Sequence, residues 1–180
     1  ISEDAKNWYA LNCNQPVIAS DTISTSGGIR DPHILRGEDG CYYIVATDMQ
    51  TKKFGWKENP GIVLMKSKDL INWTHSKIVL KDDYKEHFSD AYWVWAPQTI
   101  YDKKAKKYMI YFTLQRTGDG RKSLVTYYAY ANKDFTGFES EPKVLFNAKY
   151  GSIDNDIYER NGVYHLFYKG NTKDANGKEI

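Results

Sequence analysis

The hydrophobic positions of this chain fall into short runs separated by polar turns, and three of the runs are strongly aromatic: Tyr42-Tyr43-Ile44-Val45-Ala46, Tyr108-Met109-Ile110-Tyr111-Phe112 and Tyr164-His165-Leu166-Phe167-Tyr168. Each follows a turn, respectively Gly37-Glu38-Asp39-Gly40, Asp102-Lys103-Lys104-Ala105-Lys106-Lys107 and Arg160-Asn161-Gly162. Asp-Gly and Asn-Gly between apolar runs are strong hairpin signals. Before each turn stands a partner run with a related opening: Asp31-Pro32-His33-Ile34-Leu35, Ala96-Pro97-Gln98-Thr99-Ile100 and Asp154-Asn155-Asp156-Ile157-Tyr158. The opening recurs 65 residues on (31 to 96) and then 58 residues on (96 to 154). A second landmark, Ser67-Lys68-Asp69-Leu70 and Asn132-Lys133-Asp134-Phe135, also repeats after 65 residues (69 to 134). Two landmarks with one period describe a structural repeat.

Each unit reads as four short strands: an inner strand from the opening, the aromatic strand, a third (62–65; 124–130) and an outer one (73–80; 143–146). Repeated four-stranded antiparallel units predict an all-β fold, a β-propeller whose inner strands line a central channel. The period exceeds the roughly 40–50 residues of WD40 and kelch blades. The predicted divisions are a lead-in over 1–26, blade one over 28–80, blade two over 91–146 and the start of blade three over 151–170. The lead-in could also supply an outer strand to a distant blade. Propellers close with about four to eight blades, so about two and a half blades imply part of a longer polypeptide.

Composition narrows the picture little. Of 180 residues, 41% are hydrophobic and 15% aromatic, ample for a core, and the net charge of +2 does not draw the chain towards nucleic acid. The lysines of 103–107 read as a solvated turn. No apolar run approaches the roughly 20 residues of a membrane span. Cys13 and Cys41 are expected to be free thiols rather than a disulfide.

The candidate chemistry lies at the openings. Asp31 stands before Pro32, which should push it into an extended conformation at the mouth of a strand. Asp154 occupies the same place in the third unit, and strand alternation would turn Asp156 the same way. Carboxylates at matching ends of two inner strands, one blade apart, would face each other across a funnel. Paired carboxylates across a cavity are what glycosidic-bond hydrolysis needs: a base to activate water and an acid to protonate the leaving oxygen, with neighbours that set their pKa values. The plainer reading is that aspartates at strand openings satisfy backbone N–H groups. His33 shares Asp31's face by alternation and could touch a substrate, whereas Arg30 should point away. Trp93 and Trp95, just before the second opening, could stack on a sugar or simply pack between blades.

The combination of Arg30-Asp31-Pro32, Trp95-Ala96-Pro97 and Ser152-Ile153-Asp154, in this order and spacing over residues 28–170, resembles glycoside hydrolase family 43. The resemblance implies a five-bladed propeller with its active site on the axis, cleaving arabinofuranosyl or xylosyl linkages of plant-type polysaccharides with inversion. It implies that Asp31 is the general base, that Asp154 tunes and orients the acid, and that Trp95 lies near the sugar. The family's general acid, a fourth-blade glutamate, has no counterpart here; Glu159 and Glu179 are the late candidates, and neither stands at an inner-strand opening. Asn155 replaces the proline that many relatives carry after the aspartate. No cofactor is required, and an axial calcium is implied by resemblance alone. The expected partner is a carbohydrate, with no nucleic acid and no membrane, and the expected location is secreted or periplasmic. The rival readings are a hydrolase of galactofuranosides or fructans, a non-catalytic sugar-binding propeller and a propeller for protein partners.

Overall fold

The computed structural model describes residues 1–10, 12–121 and 123–170. A 3-10 turn at Asn12–Asn14 and a short helix α1 (Ser20–Ile23) precede the first sheet. That sheet comprises β1 (Ile29–Arg36), β2 (Tyr42–Asp48), β3 (Gly61–Ser67) and β4 (Trp73–Val79), with α2 (Thr51–Phe54) between β2 and β3. Two more short helices, α3 (Leu80–Asp83) and α4 (Lys85–Phe88), lead to the second sheet: β5 (Ala91–Asp102), β6 (Lys107–Arg116), β7 (Val125–Tyr130) and β8 (Lys143–Phe146). The third sheet is the hairpin β9 (Ile153–Arg160) and β10 (Val163–Lys169).

Strands neighbour one another in chain order within each sheet, and every pair is antiparallel. This meander is the blade of a propeller. The second-sheet inner strand β5 touches both β1 and β9, so the three inner strands stand side by side. The turns behave as their composition predicts: Gly40 (φ 76°) and Gly162 (φ 78°) supply the left-handed residues that close two hairpins. The second landmark repeats down to its backbone angles, with Leu70 at φ 64° and Phe135 at φ 58°.

The core explains why the middle strands are the apolar ones. Tyr43, Val45 and Leu64 on one face of the first sheet pack with Val94, Ile110, Phe112 and Leu114 of the second in one cluster. Each such fully buried aliphatic side chain contributes roughly 1.5–3 kcal/mol. The opposite face of the first sheet carries Val63 and Met65, which bury Ile23 of α1 and contact Ile18. The leading segment is therefore a cover on the first sheet, and its described residues form no strand. Cys13 is exposed, Cys41 is buried, and both are free. No helix among the described residues is long and apolar enough to cross a membrane.

Candidate active site

All three inner strands are interrupted at the same place. In β1 the pairing runs Arg30 to Thr47 and then His33 to Val45, leaving Asp31 and Pro32 opposite Ala46 alone. In β5 it runs Trp95 to Thr113 and then Gln98 to Tyr111, leaving Ala96 and Pro97 opposite Phe112. In β9 Ile153 pairs with Lys169 and Asp156 with Phe167, leaving Asp154 and Asn155 opposite Tyr168. Two residues against one is a β-bulge, a device that bends a strand and re-aims a side chain. The first residue of each bulge is left-handed: Asp31 at φ 49°, Ala96 at φ 45° and Asp154 at φ 52°.

This corrects the reading of Asp31 as extended. Proline pushes its predecessor towards extended backbone, but the bulge imposes a left-handed residue here as it does at Asp154, which no proline follows, and aspartate tolerates that conformation better than most residues. Asp31, His33 and Asp154 line one cavity of about 220 Å³ together with Pro32, Ala96 and Gln98, and Asp156 is outside that lining. Asp31 and Asp154 are both exposed. A cavity of about 260 Å³ between the second and third sheets, lined by Met109, Phe146, Ile157 and Leu166 among others, is largely apolar packing space.

The bulges are clamped from the neighbouring blade. Thr47 on β2, wholly buried, accepts a hydrogen bond at Oγ1 from the Ala96 amide at 2.9 Å. Thr113, its counterpart one repeat later on β6, donates from Oγ1 to the Ser152 carbonyl at 3.0 Å and accepts from Asn155 Nδ2 at 3.1 Å. Thr126 on β7 completes the network, donating to Asn155 Oδ1 at 3.1 Å and sharing a 2.7 Å hydrogen bond with Ser152 Oγ. Ser152 and Asn155 flank Ile153 and Asp154, and both are buried, so the Asp154 segment is pinned on both sides. Asn155, the departure from the proline of relatives, thus has a structural reason: its amide makes two inter-blade bonds that a proline could not. Sequence reasoning missed these threonines. Thr47 and Thr113 lie 66 residues apart, so carrying the repeat alignment into the aromatic strands would have found them.

His33 is half-buried, and its Nδ1 accepts a hydrogen bond from the Thr99 amide at 3.3 Å, which assigns the imidazole proton to Nε2. Burial holds its pKa below the ordinary histidine value, and Asp156 nearby opposes that shift only in part. Tyr111 reaches from β6 to join the blades, donating to Gln98 Oε1 at 2.9 Å and accepting from the Ile157 amide at 3.0 Å.

Trp93 and Trp95 are outside the cavity lining. They lie within β5, which begins at Ala91 and so earlier than the motif suggested. Their rings stack on one another at 3.9 Å. Both indole N–H groups are engaged by the β2–β3 connection, Trp93 with the Lys57 carbonyl at 3.1 Å and Trp95 with Asn59 Oδ1 at 2.8 Å. Arg30 turns away from the cavity lining and lies over Trp56, 4.8 Å from the ring centroid. Of the two late glutamates, Glu159 is ion-paired with Lys103 at 2.9 Å, and Glu179 lies outside the described residues. The described residues contain no group of three or more His, Cys, Asp or Glu that could hold a metal ion.

Residues 1–179 match the family model described as "Probable glycosyl hydrolase domain", a relative of glycoside hydrolase family 43. The chain belongs to this family. It is 26% identical over 197 residues to an alpha-L-arabinofuranosidase of Bifidobacterium longum subsp. longum, covering 98% of this chain and 18% of that protein. A shorter match, 30% identical over 86 residues, is to a 1,2-beta-oligomannan phosphorylase of Thermoanaerobacter sp., covering 48% of this chain and 27% of that one. Among solved structures it is similar to RS223 beta-xylosidase, with a TM-score of 0.60 at 15% identity over 87% of this chain and 47% of that one. It is similar also to a thermostable family-43 glycoside hydrolase, with a TM-score of 0.58 at 21% identity over 84% of this chain and 44% of that one. The chain therefore spans less than half the length of these relatives. The fold is that of the five-bladed family-43 propeller, of which two four-stranded sheets and one two-stranded sheet are described here.

Proposed function

We propose that this chain is part of an inverting glycoside hydrolase that cleaves arabinofuranosyl or xylosyl linkages. One observation carries the reading: Asp31 and Asp154, each exposed at an equivalent bulge, line one cavity in a chain that matches a glycosyl hydrolase family over its length. In this mechanism Asp31 accepts a proton from a water molecule as that water attacks the anomeric carbon. A carboxylic acid carried elsewhere in the protein protonates the leaving oxygen. Asp154 positions that acid and holds its pKa up by like-charge repulsion. His33, neutral with its proton on Nε2, offers one hydrogen-bond donor to a sugar hydroxyl. Trp93 and Trp95 serve the substrate by fixing the wall beside the cavity.

The arabinofuranosidase name of the Bifidobacterium longum relative, and the xylose and xylotriose complexes of the Xanthomonas citri neighbours, favour a pentose-bearing carbohydrate as substrate. A plant-type polysaccharide of that kind suits a secreted or periplasmic enzyme. The test is hydrolysis of 4-nitrophenyl arabinofuranoside and xyloside by the full-length protein beside Asp31→Asn, with the anomer of the first product read by NMR. Loss of at least about 10²-fold in kcat with an unchanged melt, as for other general bases, supports the assignment. Retention of the anomeric configuration, or an active Asp31→Asn variant, would refute it.

A further inference from the structure

The side chains beside Asp154 form a closed ring of hydrogen bonds in which each donor is fixed. The Ser152 carbonyl can only accept, so Thr113 Oγ1 donates to it at 3.0 Å and itself accepts from Asn155 Nδ2 at 3.1 Å. That orients the Asn155 amide. Its Oδ1 then accepts from Thr126 Oγ1 at 3.1 Å, which leaves Ser152 Oγ as the donor to Thr126 Oγ1 at 2.7 Å. The ring therefore begins and ends on Ser152. None of its four residues is more than 2% exposed, so bulk water does not compete for its bonds, and each bond polarises the next.

The equivalent junction one blade earlier shows that a bulge forms without such a ring. Thr47 and Ile62 pair across β2 and β3 as Thr113 and Thr126 pair across β6 and β7. Ala96 and Pro97 form the bulge there as Asp154 and Asn155 do here, which matches Ser152 to Val94. Three of the four ring positions are thus apolar at that junction: Val94, Pro97 and Ile62. Ala96 still takes the left-handed angle, φ 45° against 52° for Asp154. What the third opening has in addition is a carboxylate. A residue with a Cβ keeps this conformation where its surroundings impose it, and a reactive group needs supporting bonds that hold it within about 0.5 Å of its working position.

We infer that Thr113, Thr126, Ser152 and Asn155 are a positioning ring for Asp154, holding its carboxylate in the direction from which it acts on the acid that protonates the leaving oxygen. This rests on the glycosidase reading above. The test uses the full-length protein and two substrates of whichever sugar it cleaves, the 4-nitrophenyl glycoside and the disaccharide, xylobiose or arabinobiose. A nitrophenolate leaves readily as an anion, whereas a sugar oxygen must be protonated as it leaves, so a misdirected Asp154 is felt on the disaccharide. Thr113→Val is expected to lower kcat on the disaccharide about tenfold with KM within about twofold, and kcat on the 4-nitrophenyl glycoside by less than about threefold. Thr113→Ser, which keeps the hydroxyl, is expected to retain most of the disaccharide activity. In an Asp154→Asn background Thr113→Val is expected to change kcat by less than about twofold, because the group it positions is gone. Ser152→Ala opens the ring without stranding a buried donor and is expected to show the same split between substrates should Thr113→Val not fold. Unchanged activity in Thr113→Val, equal losses on both substrates, a Thr113→Ser variant as impaired as Thr113→Val, or the full loss persisting in the Asp154→Asn background overturns the positioning role alone. No hydrolysis of either substrate by the parent overturns the glycosidase reading together with it.

Discussion

Asn155 Nδ2 donates a hydrogen bond to Thr113 Oγ1 at 3.1 Å across the junction of the second and third sheets, and both side chains are buried. The bond ties a residue next to Asp154 to a strand 42 positions earlier. Thr113→Val keeps the shape but leaves Asn155 Nδ2 and the Ser152 carbonyl without this partner. An unsatisfied buried polar group costs about 1–3 kcal/mol. The unfolding free energy from urea titration should fall by that much, and a double-mutant cycle with Asn155→Ala should show a clear coupling energy. Additive losses would mean that the two side chains act separately.

Ala96 sits at φ 45°, where a Cβ is strained by roughly 1–2 kcal/mol. Glycine removes the strain at a cost of about 0.5–1 kcal/mol in chain entropy. Ala96→Gly is therefore expected to be neutral to slightly stabilising in urea titration, and Ala96→Val clearly destabilising. Equal losses from both substitutions would show that the side chain's contacts, rather than the backbone angle, decide this position.

His33 links stability to pH. Its folded pKa lies below the ordinary value near 6.5 because burial disfavours the imidazolium. Between those two values the unfolded chain holds the extra proton, so stability rises with pH. This contribution is complete above about pH 6.5 and is lost as pH falls towards the lowered folded value. His33→Asn, whose Oδ1 can still accept from the Thr99 amide, should flatten the difference in urea midpoint between pH 7.5 and pH 5.5. An unchanged pH slope would assign that dependence to other groups.

Asp90 and Arg116 form a half-buried ion pair at 2.6 Å, and Asp90 Oδ2 also accepts from the Gly118 amide at 3.1 Å. Burial raises the Asp90 pKa, but Arg116 and these hydrogen bonds outweigh it, so the carboxyl is held below its ordinary value. Its stabilisation is present above the ordinary carboxylate value near 3.9 and disappears as pH falls through the lowered one. Asp90→Asn should cost about 1 kcal/mol at neutral pH, the upper end of what solvent-screened pairs contribute, because both side chains remain partly open to water. The variant and parent should converge in stability in strong acid. A gap that persists there would assign the loss to packing.

Much of the fold was legible along the chain because its signals are local and periodic. Tyr42-Tyr43-Ile44-Val45-Ala46 predicted β2, and the Asn161-Gly162 turn predicted the β9–β10 hairpin. The expectation of an extended Asp31 failed because a bulge, set by pairing with β2, intervenes there. Alternation gave no means of choosing between stacking on a sugar and packing for Trp93 and Trp95, which depends on Lys57 and Asn59 in the preceding blade.

The sequence by itself determined the repeat, the three openings and the residue types placed there, because strand period, turn chemistry and spacing are carried by neighbours in the chain. Only the tertiary structure decided that Asp31 and Asp154 share one cavity, that Thr47 and Thr113 clamp the neighbouring bulges, and that Arg30 turns to Trp56. Those relationships arise when strands dozens of residues apart pack side by side, and the partner that satisfies each buried N–H or hydroxyl is chosen by that packing.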